Sequence, residues 1–201
     1  MPPFGEADLV DDPIDLFERW YELAERKVPL TEAVCLATVD SAGVPDARMV
    51  LLKGADARGF RFFTNEGSVK GRQLAEQPVA ALVFYWRELD RQVRVRGRVE
   101  PLDAPESDEY FATRPRESMI GAWASPQSEP LADRGELDAL VEAVEERYAG
   151  AEVPRPPHWG GYLVVPSAIE FWQGQVGRLH DRFRYERDAD DAAWRVERLA
   201  P

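Results

Sequence analysis

Between residues 33 and 99 the chain offers five short runs of strand character in quick succession. They are "AVCLATVD" (33–40), "ARMVLLKG" (47–54), "FRFFT" (60–64), "VAALVFYW" (79–86) and "RQVRVRGRV" (91–99). The breaks "DSAGVPD" and "GADARG" have turn composition. Strands joined by such short connectors pair antiparallel, because parallel pairing needs a long crossover. Three more runs, 160–173, 181–187 and 193–199, close the chain. Helical spacing marks 13–27, where Asp12 can cap, Pro13 suits the first turn, and Phe17, Trp20, Tyr21 and Ala24 share one face as core packing. Short helices are expected at 68–77, 104–113 and 133–148. The fold class is therefore β-rich α+β, an antiparallel sheet or barrel with peripheral helices. The stretch "GAEVPRPPHWGG" (150–161) reads as a crossing inside one domain, 1–201, with strands 160–201 following directly.

The formal net charge of −12 argues against general binding to nucleic acid or anionic membranes. No apolar run approaches the roughly 18 residues of a membrane span, and "MPPFGEADLVDD" lacks a signal peptide's basic start, so the expected location is cytoplasmic. The single cysteine, Cys35, lies in an apolar run and reads as a buried, inert thiol. With only His158 and His180 besides, no zinc site can assemble, and no metal is expected. The positive residues are 22 arginines and three lysines, Lys27, Lys53 and Lys70.

Several of these cations fall in suggestive places. In "TNEGSVKGRQL" (64–74), Gly67, Ser68, Lys70 and Gly71 cluster where a strand gives way to a helix. Free N–H groups there and the Lys70 charge suit an anion, but an ordinary capped helix fits equally. "RMVLLK" (48–53) sets Arg48 and Lys53 at the ends of an apolar strand; their odd spacing sends them to opposite faces unless a bulge or strand end intervenes. In 91–99, Val93, Val95 and Val99 face one way. Gln92, Arg94, Arg96 and Arg98 face the other, the arginines as a solvent face paired with acids. "YFATRPRESMIGAWASPQS" (110–128) puts Tyr110 and Arg114 on one helix face, with Arg116, Ser118, Gln127 and Ser128 around a proline break; these side chains suit a phosphate monoester. Finally, "FWQGQVGRLHDRF" (171–183) places Arg178, His180 and Arg182 at every second position, one face of an extended strand.

Taken together, "RMVLLK", "FFTNEGSVKGRQL", "YWRELDRQVRVRG", "YFATRPRESMIGAWASPQS", "PPHWGGY" and "IEFWQGQVGRLHDRFRY" resemble the pyridoxamine 5′-phosphate oxidases, in that family's order and spacing, from about Asp12 to "RLAP". The resemblance implies an FMN-binding split barrel and a cytoplasmic homodimeric oxidase. It would convert pyridoxine or pyridoxamine 5′-phosphate to pyridoxal 5′-phosphate with O₂, giving H₂O₂. It further implies that Arg48, Ser68, Lys70, Gln127 and Ser128 hold FMN around its phosphate and ribityl chain. Met49, Val50, Leu51, Leu52, Lys53, Phe63, Thr64 and Gln92 would line the flavin, and Trp172 and Arg182 would complete its site, partly from the second subunit. Lys53, Tyr110, Arg114 and Ser118 would bind the substrate phosphate. Arg178 and His180 would lie over the substrate ring as catalytic residues.

Three positions depart from the family pattern. Val69 stands where an arginine is frequent, Phe63 replaces a tyrosine, and the amino terminus lacks an Arg and a Tyr that close over the substrate. That missing pair keeps open a related flavin oxidase acting on another compound, such as a phenazine-pathway intermediate. A non-catalytic binder of FMN or pyridoxal phosphate is the third reading.

Overall fold

A computed structural model describes residues 3–201; Met1 and Pro2, where the amino-terminal stretch begins, lie outside the described residues. Its centre is a nine-stranded sheet, β1 (Ala33–Val39), β2 (Pro45–Leu51), β3 (Gly54–Asp56), β4 (Gly59–Asn65), β5 (Val79–Trp86), β6 (Arg91–Pro101), β7 (Trp159–Gln173), β8 (Asp181–Glu186) and β9 (Arg195–Arg198). The order is β2-β1-β5-β6-β7-β4-β3, with β8 on β7 and β9 on β8, and every pairing is antiparallel. The sheet curls back on itself: past the end of β2, the Lys53 N–H donates to the Arg61 carbonyl of β4 at 2.8 Å. This is the antiparallel barrel that the strand runs imply.

The helices are α1 (Pro13–Glu25), α2 (Val69–Glu76), α3 (Ala104–Ala112), α4 (Arg116–Ala124) and α5 (Arg134–Arg147). The α1 helix starts as its sequence dictates, with Pro13 at its first position and the Asp12 carboxylate accepting from the Ile14 N–H. It plugs the barrel with aromatic side chains. Phe17 packs edge-on to Phe60 at 4.9 Å and near Phe84 at 5.1 Å, while Trp20 meets Phe171 and Phe4. Tyr21 sits only half-buried at the rim. On β6, Val93, Val95 and Val99 are buried, and Arg94, Arg96 and Arg98 pair outward with Glu170, Glu186 and Asp190.

Two expectations need correction. Cys35 is not in the core. Val34, Leu36 and Thr38 are the inward residues of β1, and Cys35 lies on the opposite face, opposite Met49. Likewise β2 is no buried core strand, since Met49 and Leu51 are exposed on it. The proline break near 115 also conceals a helix, α4, which begins immediately after Pro115. Proline ends a helix because it lacks the N–H, and for the same reason it can open the next one.

The plug makes a clear stability prediction. Phe17→Ala removes a fully buried ring touching β4 and β5 and should cost about 3–5 kcal/mol in urea unfolding. A loss below about 1 kcal/mol would show that α1 is dispensable to the barrel.

Candidate functional site

Beside the barrel, under α3 and α4, lies a cleft of about 420 Å³. Its walls come from Met49, Val50 and Leu51 at the end of β2, from Lys53, from Phe63, Thr64 and Asn65 of β4, from Lys70 of α2, and from Tyr110, Arg114, Ser118 and Gln127. The strand end that Lys53 requires is present. The β2 strand stops at Leu51, Leu52 turns into the core, and Lys53 crosses to β4. Arg48 does not reach the cleft. Its guanidinium donates to Thr38 and Gln73 and pairs with Asp46, behind α2.

The charge balance of the lining is one-sided. Lys53, Lys70 and Arg114 are its cations, and no Asp or Glu lines it. Lys70 is buried to 9% exposure, and its ammonium donates only to neutral oxygens, Ser68 Oγ at 3.2 Å and Gln127 Oε1 at 3.0 Å. Thr64 Oγ1 donates to the same Gln127 oxygen. Burial, and after it the neighbouring Arg48 guanidinium, pull the Lys70 pKa below its ordinary value. Burial does the same to Arg114, whose Nη1 is enclosed without a hydrogen-bond partner. A buried cation with no counter-charge costs stability unless a ligand neutralises it.

The amino end of α2 plays a narrower part than its sequence suggests. Ser68 is fully buried and caps the helix, with its Oγ accepting from Gly71 N–H. Gly71 is required here, since a Cβ would lie 2.1 Å from the Glu66 carbonyl. Gly67 N–H donates to Asn65 Oδ1, Ser68 N–H to the Asn65 carbonyl, and Val69 N–H to Ser128 Oγ. Those donors are therefore occupied, and the side chain of Lys70 carries the positive charge of this end.

The remaining expected residues form a second group, far from the first. Gln92, Trp172 and Arg182 face one another in a cross-strand row over β6, β7 and β8. Arg182 is held by Glu170 Oε1, at 3.0 and 2.9 Å, and by the Ala200 carbonyl. The His180 ring lies 4.6 Å from that of Trp172, and its Nδ1 accepts from Gln175 N–H. Arg178 and His180 do not continue an extended strand with Arg182, as their spacing suggests. Gly177 and Arg178 have φ of 71° and 62°, so the chain turns there, and β8 begins only at Asp181. Cleft and row sit at opposite ends of β7: Phe63 pairs with Gly161, and Arg182 with Trp172. Eleven residue steps along β7 separate Gly161 from Trp172, on the order of 35 Å. None of Gln92, Trp172, Arg178, His180 and Arg182 lines the cleft of its own chain.

The structure adds wall residues that the sequence reading did not single out: Asn65, Gly121, Ala122, Ser125 and Trp159. Trp159 stacks on Phe63 at 5.4 Å, and Phe63 on Tyr110 at 4.1 Å. Gly161 leaves room for that stack, because a Cβ there would lie 2.6 Å from the Phe63 ring.

Fold and site define a curled antiparallel barrel protein with a cationic ligand cleft. Residues 22–148 match the sequence model of the family described as pyridoxamine 5′-phosphate oxidase, and residues 159–201 match that of the pyridoxine 5′-phosphate oxidase C-terminal dimerisation region. The chain belongs to the pyridoxamine 5′-phosphate oxidase family. A pyridoxine/pyridoxamine 5′-phosphate oxidase of Burkholderia lata is 56% identical over 198 residues, 98% of this chain and 92% of that protein. A namesake from Burkholderia mallei is 54% identical over 197 residues, 97% of this chain and 92% of that protein. Among solved structures, PhzG from Burkholderia lata, in complex with tetrahydrophenazine-1-carboxylic acid, superposes with a TM-score of 0.91 at 36% identity, covering 98% of this chain and 97% of that one. The barrel is thus the split barrel of this family. No helix among the described residues is long and apolar enough to cross a membrane.

The depressed Lys70 pKa carries a sign. A base whose folded pKa lies below its unfolded value destabilises the fold while protonated, and this penalty fades as pH rises through the folded pKa toward the unfolded one. The apoprotein of Lys70→Met should therefore melt at or above the wild-type temperature at pH 7, with the difference shrinking at alkaline pH. Calorimetry showing a loss of several degrees at pH 7 would mean that Lys70 is a structural residue instead.

Proposed function

We propose that the protein is an FMN-dependent oxidase of pyridoxine 5′-phosphate and pyridoxamine 5′-phosphate, working as a homodimer. One observation carries this reading: the cleft gathers three cations, Lys53, Lys70 and Arg114, and no carboxylate in a protein of net charge −12, and none of the three has an ion partner among the described residues. Such a site fits phosphate-bearing ligands. FMN fits the donor set on the α2 side, where Lys70 and Gln127 would take its phosphate end and Met49, Val50 and Leu51 offer apolar wall to its ring. Lys53, Tyr110, Arg114 and Ser118 remain for the substrate phosphate. FMN, when bound, would accept a hydride from substrate C4′, and its reoxidation by O₂, with the second proton that leaves the substrate's hydroxyl or amine, would give H₂O₂; the amine substrate would leave as an imine that water hydrolyses to the aldehyde and ammonia.

The protein's share is positioning and charge. Arg114 and Lys53 would hold the substrate by its phosphate, so that unphosphorylated vitamers are discriminated against. His180 and Arg178 would orient the C4′ substituent and assist the departing proton. Their distance from the cleft along β7 supports a shared site, in which one chain supplies the cleft and the partner supplies Gln92, Trp172, Arg178, His180 and Arg182. The dimerisation-region match over 159–201 supports the same arrangement.

A second reading is a flavin oxidase of a reduced phenazine carboxylate. The likeness to PhzG and the flat aromatic wall of the cleft favour it. The relatives named pyridoxine/pyridoxamine 5′-phosphate oxidase, at higher identity, and the two cations left for a substrate phosphate favour the first.

Oxygen uptake by FMN-loaded protein should be fast with both phosphorylated vitamers and at least tenfold lower in kcat/KM with pyridoxine and pyridoxamine. Turnover confined to a phenazine carboxylate would replace the first reading by the second. Apoprotein titration should give about one FMN per chain, and riboflavin should bind at least tenfold more weakly, because a charged hydrogen bond contributes about 1.5–3 kcal/mol. The shared site is tested by complementation. Arg114→Ala and His180→Ala homodimers should each be nearly inactive, and unfolding and refolding their mixture should restore about a quarter of wild-type activity, from one intact site in half of the dimers. No recovery, with mixed dimers demonstrated, would place both residues in a site within one chain.

A further inference from the structure

We propose that Trp159 is a positioning residue for substrate recognition, acting through Arg114 and Tyr110; the inference rests on the reading of the cleft as a site for a phosphorylated substrate. Trp159 opens β7 and is buried to 6% exposure. One cation and one cluster of rings depend on it. The Arg114 guanidinium carbon lies 4.7 Å from the Trp159 ring centroid, and 5.4 Å from that of Phe111. Among the described residues Arg114 makes no ion pair, and its Nη1 is buried without a partner. Its guanidinium is therefore fixed by aromatic faces and not by a carboxylate. This matters chemically. A carboxylate would fix an arginine equally well but would neutralise it, whereas the face of an indole holds the cation and leaves its N–H edge for an incoming anion.

The same indole sets Tyr110. Trp159, Phe63 and Tyr110 form a cluster of nearly parallel rings: Trp159 lies 5.4 Å from Phe63 and 6.1 Å from Tyr110, Phe63 lies 4.1 Å from Tyr110, and the interplanar angles are 10°, 9° and 19°. Phe63 has no hydroxyl to anchor it by a hydrogen bond. Its position comes from the two neighbouring rings and from the bare backbone of Gly161 against it. Trp159 is thus in ring contact with both Phe63 and Tyr110. The backbone about it is held too, as Arg155 donates to the Trp159 carbonyl and the residue pairs with Asn65 of β4. Two of the four residues that face the substrate phosphate, Arg114 and Tyr110, are placed by one side chain.

The test uses FMN-loaded dimer and pyridoxine 5′-phosphate. Trp159→Leu should raise KM about tenfold, a cation–π contact being lost, with kcat within about twofold and FMN affinity unchanged. Trp159→Phe keeps a ring face and should recover most of the KM. In the double variant Trp159→Leu/Arg114→Ala, the rise in KM should fall well short of the product of the two single rises, because much of the indole's effect passes through the guanidinium and only the part through Tyr110 remains. Additive effects in the double variant, or a Trp159→Leu enzyme with wild-type KM, would overturn the inference. If Trp159→Leu does not fold, the Trp159→Phe and Trp159→Tyr variants decide it: both should hold KM near wild type, and a tenfold rise in both would show that an aromatic face is not what matters. If Arg114→Ala itself leaves KM unchanged, the phosphate reading of the cleft fails, and that outcome is separate from the failure of the Trp159 role.

Discussion

The structure turns on positive charge held out of water without a counter-ion. Lys70, buried, and Arg114, half-buried, line one cleft, and neither meets a carboxylate among the described residues. An acidic chain of net charge −12 has ample carboxylates to offer, and it uses them on the outer arginines Arg94, Arg96 and Arg98. The exposed pairs among them, Arg96–Glu186 and Arg98–Asp190, contribute little to stability. The cleft cations are instead kept in place by neutral groups: Ser68 and Gln127 for Lys70, aromatic rings for Arg114. The local fold follows from that choice. Ser68 caps α2 while accepting from Lys70, and Gly71 lets the helix start against the Glu66 carbonyl. The apoprotein bears a cost that a dianionic ligand would remove, and a binding site can trade stability for affinity in this way.

The second constraint is the length of β7. Its fifteen residues pair with β6 for most of their course, with β4 at the beginning and with β8 at the end. The strand is the backbone of the barrel, and it also separates the cleft from the Trp172–Arg182 row. The outward residues Met49, Leu51 and Tyr85 are exposed and apolar on the same sheet, as is Leu179 beside the row. A second copy covering this face would remove apolar area from water and carry its own row to the cleft.

Much of this was legible in the sequence, for physical reasons that differ by element. The β6 strand alternates valine with arginine, so both its existence and its facing could be read. The β1 strand carries Ala33, Cys35 and Ala37 on one face and Val34, Leu36 and Thr38 on the other. Both sets are largely apolar, so periodicity could not tell which side holds the core, and Cys35 was assigned to the wrong one. Residue type pointed to Tyr110, Arg114, Ser118 and Gln127, but also to Arg116 and Ser128, which do not line the cleft; the family resemblance added Lys53 and Lys70, and the fold brings those two and the first four to one cleft. The row at 178–182 was misread as a continuous strand, because spacing alone does not report the positive φ of Gly177 and Arg178. Trp159 lies in "PPHWGGY", one of the segments that resemble the family, but nothing in that segment gives its role. Its partners Phe63, Tyr110 and Arg114 are remote in sequence, and only the β4–β7 pairing brings them to it.

The central claim is that Lys70 is a charge waiting for an anion, and the pH dependence of FMN affinity tests it directly. The free protein holds the Lys70 pKa below its ordinary value, and a bound phosphate would raise it, so binding takes up a proton at pH values between the two. FMN affinity of the wild type should fall as pH rises through the free-protein pKa, approaching about tenfold per pH unit, and the Lys70→Arg protein, which cannot lose its charge, should lack that component. A wild-type affinity that is flat with pH, or an equal slope in Lys70→Arg, would contradict the account.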